Sequence, residues 1–164
     1  MIHRVGLGFD VHPFGGDGPL VMGGVTIDGP GLVGHSDADV VAHAVADALL
    51  GPAGLPDLGT LFPASDPAYA GIDSMGLLAD VAGRVAAQQW WVQNVDVTVA
   101  AEAPRLAPHL AAMAEGVRRA LEPVQEPLGV PLHVSITPKR GEGLGFVGRV
   151  EGIACWAVAM LCKG

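Results

Sequence analysis

The segment Ser36-Asp37-Ala38-Asp39-Val40-Val41-Ala42-His43-Ala44-Val45-Ala46-Asp47-Ala48-Leu49-Leu50 decides how the chain is read. Val41, Val45, Ala48 and Leu49 form one apolar face at helical spacing, while Asp39, His43 and Asp47 recur every four residues and stack as a polar stripe. Ser36, with Asp39 three residues on, resembles a capping arrangement at the helix start, and Gly51-Pro52 marks the end. The element is therefore a helix with one face for a core and another available for chemistry.

Outward from this helix the chain mixes strands and helices. Upstream, residues 4–9 predict a short strand running into a loop that carries Asp10 and His12; residues 20–27 predict a second strand, followed by a turn at Pro30-Gly31. Downstream, the Pro-, Gly- and Asp-rich residues 55–71 predict a long loop, followed by a helix over 74–89. Val95, Val97 and Val99 alternate with Asp96 and Thr98, the period of a half-buried strand. After the break at Pro104 come a helix over 106–121 and a strand over 132–136, while residues 153–161 fit a buried strand or a buried helix equally. The composite is α/β with three helices and no internal repeat.

The 164 residues suffice for one well-buried core, so a single domain over 1–164 is expected. Half the residues are hydrophobic and few are aromatic, which points to a core of Ala, Val and Leu. The longest apolar stretch, residues 152–162, falls short of the roughly 18 residues of a membrane span, so no membrane association is expected. Asp10 and His12 interrupt the N-terminal region before a signal-peptide core can form, and a cytoplasmic protein is the expectation. A formal charge of −8 argues against a nucleic-acid surface. An acidic chain that handles a phosphorylated substrate needs metal cations and a few placed Arg or Lys to supply the attraction. Cys155 and Cys162 read as small core residues; seven positions along a helix is roughly 10 Å of rise, beyond disulfide reach.

Asp10-Val11-His12 puts two potential metal ligands on one side of an extended segment, and His43 lies on a helix face able to approach them. One carboxylate and two imidazoles leave a fourth position open, as a catalytic zinc site requires. On spacing alone, Asp10 capping a turn and His43 solvated on its helix is the plainer account, so context must decide. His35 and Ser36 stand where a helix N-terminus would attract a phosphate or a polyol hydroxyl, although Ser36 also reads as a simple cap. Asp57 and Asp66, in loop punctuation, are free to contact hydroxyls, and Arg105 follows a strand end directly. Lys139-Arg140-Gly141-Glu142-Gly143 concentrates cations, a carboxylate and flexible backbone, as a phosphate cradle with a metal ligand needs and as a charged hairpin turn also has. For Phe146 and Arg149, a buried ring and a paired guanidinium is the plain account.

Taken in order, the motifs Gly8-Phe9-Asp10-Val11-His12, Gly34-His35-Ser36-Asp37 with Asp39 and His43, Asp57-Leu58-Gly59, Leu61-Phe62-Pro63 with Asp66-Pro67, Ala103-Pro104, and Leu144-Gly145-Phe146 with Gly148-Arg149 resemble the 2-C-methyl-D-erythritol 2,4-cyclodiphosphate synthase family along essentially the whole chain. The resemblance implies an α/β (α+β) fold, a single-layer mixed β-sheet packed on one side by about three helices, with residues 153–161 a strand. It implies a homotrimer with active sites between subunits, each binding a cytidine diphosphate derivative of methylerythritol 2-phosphate whose 2-phosphate attacks the β-phosphate and expels CMP. Zn2+ or another divalent cation would sit on Asp10, His12 and His43, and Mg2+ or Mn2+ on Glu142 with the substrate. His35 and Ser36 would contact the methylerythritol phosphate end with Val11, Asp57, Leu58, Gly59, Phe62 and Asp66 nearby. Ala101, Ala103, Pro104, Arg105, Leu106 and Ala107 would form the cytidine pocket, Lys139 would also bind the substrate, and Phe146 and Arg149 with Glu151 would line the central cavity of the trimer.

The chain departs from the family pattern at several points. Thr137 is followed by Pro138-Lys139-Arg140-Gly141, read as a two-residue insertion before Glu142, so that Thr137 or the cations of Lys139 and Arg140 would stabilise the transferring phosphoryl group. Arg105 stands where Lys is usual, Ala64 replaces Asp, and Ala38, Pro56 and Val150 replace Gly. A non-catalytic binding paralogue and a metal-dependent phosphohydrolase are the competing readings. Retention of Asp10, His12, His43 and Glu142 argues against the first, and the lack of a second cluster of His ligands against the other.

Overall fold

The computed structural model describes residues 1–125 and 130–164. Strand β1 (Ile2–Gly16) runs antiparallel to β7 (Gly152–Lys163), from the Ile2–Lys163 pair to the Pro13–Gly152 pair. Asp10 and His12 are therefore inside a strand, opposite Cys155 and Ile153, and not in a loop after one; the ladder to β7 simply continues past Phe9. On its other edge β7 pairs antiparallel with β5 (Trp91–Ala100), and β6 (His133–Lys139) joins β5 in parallel. With β4 (Gly31–Leu32) on the outer edge of β1, the sheet is mixed and five-stranded in the order β4-β1-β7-β5-β6. Pro138 is tolerated in β6 because that strand is an edge.

The expected architecture of one sheet covered on one side is what forms. Helices α1 (Val40–Ala53), α3 (Ser74–Ala87) and α4 (Leu110–Ala120) are the three long ones: α1 packs on β1 and β7, α4 on β6, and α3 against both helices. Val95, Val97 and Val99 are fully buried toward the helices, as their alternation predicts. The opposite face leaves Val5, Leu7, Phe9, Val11, Trp156 and Val158 exposed. Cys155 and Cys162 are free and buried in the core.

Two glycines set the depth at which α1 lies on the sheet. A Cβ on Gly6 would stand 2.0 Å from Ala48 O, and one on Gly8 1.8 Å from Ala44 O. Because residues two apart share a sheet face, Gly6 and Gly8 seat the helix and Asp10 and His12 continue beyond them toward it.

Several local expectations are corrected. Residues 20–27 are a hairpin, β2 (Leu20–Met22) and β3 (Val25–Ile27), because Gly23 and Gly24 both take left-handed φ values, +56° and +75°. Gly31 belongs to β4 instead of a turn. Ser36 does not cap α1; left-handed Ala38 (φ 57°) delays the helix, and Asp39 caps it by accepting from Val41 N and Ala42 N. Nor does Asp39 lie on the polar stripe: it is fully buried, and its carboxylate also accepts from Gly23 N (2.9 Å) and Gly24 N (2.8 Å). The helix runs beyond Pro52 to a left-handed Gly54 cap. Residues 55–71 contain a one-turn helix α2 (Leu58–Leu61) and a 3-10 turn (Pro67–Tyr69), and the helix expected from 106 opens with a 3-10 turn (Ala107–His109).

Candidate metal centre and adjoining cavities

β1 and α1 bring Asp10, His12 and His43 together as the spacing suggested. Asp10 Oδ2 lies 3.0 Å from His12 Nε2 and 2.9 Å from His43 Nδ1, and the two nitrogens are 3.4 Å apart. Ligand atoms of a tetrahedral zinc site with bonds near 2.0–2.1 Å stand roughly 3.3 Å from one another, so the triad is close to ligating geometry. All three residues are half-buried.

Neighbouring groups decide which ring nitrogens face the common point. His12 Nδ1 is 2.7 Å from Val33 O, and a carbonyl only accepts, so Nδ1–H donates and Nε2 presents a lone pair. For His43 the argument runs through a chain. Ser74 Oγ donates to the Asp37 carboxylate, which also receives Ser74 N, so the Ser74 oxygen is left to accept from His43 Nε2 at 2.9 Å. His43 Nδ1 is then the lone-pair nitrogen. Ser36 Oγ, 3.1 Å from His43 Nε2 and 3.0 Å from Ser74 Oγ, completes the hydroxyl pair.

Two lone pairs and a carboxylate aimed at one point repel unless a cation sits among them, which is why the residues fit a divalent metal. A proton takes that part when no metal is bound. Burial pulls the His12 imidazole toward the neutral form, but the hydrogen bond and charge of Asp10 outweigh it and raise its pKa above the usual histidine value. Burial likewise opposes ionisation of Asp10, yet its hydrogen bonds to His12 and His43 hold the carboxyl well below the usual range.

The triad opens on a cavity of about 290 Å³ lined also by His35, Ser36, Asp47, Leu58, Gly59, Phe62, Ala64, Tyr69, Ile72 and Leu77. His35 reaches it by a turn, not from a helix N-terminus, with Nε2 3.1 Å from Asp66 O. Asp47 accepts from Leu58 N (2.8 Å), and burial raises its carboxyl above the usual range. The side chains of Asp57 and Asp66 are engaged locally, with Thr60 Oγ1 (2.5 Å) and Ala68 N (2.9 Å), and neither residue lines the cavity. Val11 points to the opposite face of the sheet from Asp10 and His12.

A second cavity, about 440 Å³, is lined by residues 101–107 with Pro138, Lys139 and Arg140, and includes the cis peptide Ala103-Pro104. It shares no lining residue with the triad cavity. Thr137 does not line it: paired with Thr98, whose neighbour on β7 is Trp156, it belongs to the uncovered sheet face. Glu142 is exposed in a left-handed turn (φ 53°) just beyond the cavity residues, Phe146 is 39 % exposed on the one-turn helix α5 (Gly145–Gly148), and Arg149 pairs with Glu151 (2.7 Å). The Phe146 ring is thus not buried, while Arg149 is paired as expected.

Sequence reasoning missed Val33, Ser74 and Glu102. Asp37 was part of a motif but had no role. None of the first three carries a local signal, since each acts on a residue at least 21 positions away.

The sequence profile of the YgbB family matches residues 3–162. The chain is 50 % identical, over 98 % of its own length and 94 % of the relative, to the 2-C-methyl-D-erythritol 2,4-cyclodiphosphate synthase of Pectobacterium atrosepticum. It is 49 % identical to the enzyme of the same name from Escherichia coli O6:K15:H31, over 98 % of each chain. Among solved structures it is similar to the bifunctional IspDF from Campylobacter jejuni (TM-score 0.89, 35 % identity, 99 % of this chain and 43 % of that one). It is also similar to IspF from Plasmodium falciparum in a CDP complex (TM-score 0.80, 27 % identity, 99 % of this chain and 97 % of that one).

Proposed function

Since the chain belongs to the YgbB family, we infer that it is a 2-C-methyl-D-erythritol 2,4-cyclodiphosphate synthase. It is a lyase that converts 4-diphosphocytidyl-2-C-methyl-D-erythritol 2-phosphate to the 2,4-cyclodiphosphate with release of CMP, in non-mevalonate isoprenoid biosynthesis. The observation that carries its metal dependence is the convergence of Asp10, His12 and His43 on one point beside a cavity.

The reaction joins a 2-phosphate oxygen to the β-phosphorus and breaks the bond from that phosphorus to the CMP oxygen. The attacking group is already an anion, since a phosphate monoester has a second pKa near 6, so no side chain has to deprotonate it. What the chain must do is position and neutralise. In this reading a divalent cation, Zn2+ by its donor set, supplies positive charge to a substrate phosphate at the triad. His35 and Ser36, with Leu58, Gly59 and Phe62, hold the methylerythritol phosphate in the triad cavity, and Asp57 and Asp66 flank it. Ala101, Ala103, Pro104, Leu106 and Ala107 enclose the cytidine, with Arg105, Lys139 and Arg140 supplying charge to the diphosphate. Glu142 suits Mg2+ or Mn2+, which is commonly held by one carboxylate together with substrate phosphates. With Thr137 on the uncovered sheet face and outside both cavities, the charge on the transferring group falls to Lys139 and Arg140, which line the 101–107 cavity.

The assembly proposed is a homotrimer. Two features of the single chain support it. The triad cavity and the 101–107 cavity have no residue in common, so a shared substrate is most simply held between the first of one chain and the second of its neighbour. The uncovered sheet face exposes a contiguous apolar set, with Leu7 68 % exposed and the Phe9 ring centroid 5.2 Å from that of Trp156, as an interface would. Phe146, Arg149 and Glu151 would then border the space between the chains. No helix among the described residues is long and apolar enough to cross a membrane, and a cytoplasmic location fits the pathway.

Phosphorus NMR of the protein with this substrate, Zn2+ and Mg2+ tests the reading. Release of CMP with a cyclic diphosphate, lost in His43→Ala, is expected. Unchanged substrate in a folded, metal-loaded protein would overturn it in favour of a binding paralogue.

A further inference from the structure

Glu102 lies outside the residues given a role above, yet it ties together the ends of two parallel strands. β5 ends at Ala100 and β6 at Lys139, and Ala101 N donates to Lys139 O at 2.9 Å, extending the ladder by one step. Glu102 comes next and turns its carboxylate onto the segment that follows β6. Oε1 accepts from Arg140 Nη2 (2.5 Å) and Oε2 from Gly141 N (2.9 Å). The Glu102 side chain is 14 % exposed against 66 % for Arg140, so the carboxylate is the fixed partner and the guanidinium the group being held.

The segment needs such a tie. Glu142 is a non-glycine residue at φ 53°, a left-handed conformation that persists only where the surroundings impose it. Gly141 is pressed against α5, where a Cβ would stand 2.3 Å from Gly148 N, so the backbone is closed in from one side while Glu102 holds it from the other. The contact to Glu102 uses only Nη2 of the Arg140 guanidinium, which retains further N–H donors.

We propose that Glu102 is a positioning residue for nucleotide diphosphate binding: it latches residues 140–142 at the mouth of the 101–107 cavity, aiming Arg140 and the Glu142 turn at the phosphates. The role rests on the nucleotide reading of that cavity. It adds a carboxylate whose two oxygens are taken up by Arg140 and Gly141 N and which acts through where those residues stand, in the manner of groups that orient metal ligands from outside the site.

Calorimetric titration with CDP and Mg2+, steady-state kinetics and amide exchange at Gly141 and Glu142 test this in the wild type, Glu102→Ala, Glu102→Gln, Arg140→Ala and the double variant Glu102→Ala with Arg140→Ala. Glu102→Ala is expected to weaken CDP by roughly tenfold or more, the size of a lost charge-assisted hydrogen-bond set, and to raise KM more than it lowers kcat. Exchange at both amides should quicken. Glu102→Gln, which still accepts from Gly141 N, should recover part of the affinity, and Arg140→Ala should add little once Glu102 is gone. The Co2+ spectrum of the triad should stay unchanged throughout. CDP affinity equal to wild type in Glu102→Ala, or a loss matched by loss of the Co2+ spectrum, would overturn the role. Failure of the wild type itself to bind CDP would overturn the nucleotide reading, and is seen before any variant is made.

Discussion

His43 Nε2 and Ser74 Oγ are 2.9 Å apart, joining the helix that carries a candidate metal ligand to the first residue of the helix packed beside it. Ser74 is 1 % exposed and hands its own proton to Asp37, so the direction of the whole chain is imposed by an acceptor-only carboxylate. Replacing Ser74 by Ala leaves His43 free to take the other tautomer. The expected result is a loss of roughly 10–100-fold in metal affinity, read by competition of Co2+ or Zn2+ with a chromophoric chelator, with Asp37→Asn acting in the same direction.

The protonation of the triad makes a prediction of opposite sign for the metal-free and metal-loaded protein. Asp10 has a lowered pKa in the fold, so its contribution to stability is present above the usual value of about 3.9 and is lost as pH falls through the depressed one. His12 has a raised pKa, so its contribution is full below about 6.5 and is lost as pH rises through the elevated one. With a chelator present, the melting temperature should therefore fall on going from mildly acidic to mildly alkaline pH. With Zn2+ present it should rise over the same window, because the metal needs His12 unprotonated. Parallel melting curves in chelator and Zn2+ would contradict the assignment.

Gly8→Ala tests how the helix is seated. The added methyl would fall 1.8 Å from Ala44 O, so α1 must lift and carry His43, the neighbour of Ala44, away from Asp10. Overpacking of this kind costs about 1–3 kcal/mol, and here it should weaken metal binding as well. Denaturant unfolding and Co2+ titration measure the two effects separately.

Val150 is a β-branched residue in left-handed backbone (φ 58°), at one of the positions where the family resemblance leads one to expect glycine. Val150→Gly should stabilise the protein by about 1 kcal/mol, or roughly 2–4 °C in Tm, through relief of that strain. Metal affinity should not change, since Val150 does not line the triad cavity.

Asp39→Ala should be among the most damaging single changes in the fold. It strips the acceptor from Gly23 N, Gly24 N, Val41 N and Ala42 N at once, and each buried donor left unpaired costs about 1–3 kcal/mol. A drop in the urea midpoint much larger than that of a surface cap would confirm it.

How much of this was legible beforehand depends on the range of the interaction involved. The alternation of Val95, Val97 and Val99 marked a half-buried strand, and the stripe of His43 and Asp47 on an apolar helix marked a polar face, because pleat and helical repeat act within a few residues. The Asp10-Val11-His12 spacing placed two candidate ligands on one side for the same reason, even though the expected loop proved to be strand. Asp39 obeyed the helical period and still pointed elsewhere. Its carboxylate is drawn inward by the free N–H groups of the helix start and the β2–β3 turn, which no periodicity records.

By itself the sequence determined the three long helices, the apolar faces and a candidate set of metal ligands, which follow from repeats and spacings that local backbone geometry enforces. Only the tertiary structure decided that Val33 and the Ser74–Asp37 pair orient the two imidazoles, that Glu102 grips the segment after β6, and that the two cavities stand apart on one chain. Those relationships depend on strand register and helix seating across tens of residues, where the chain is free until the whole sheet closes the choice.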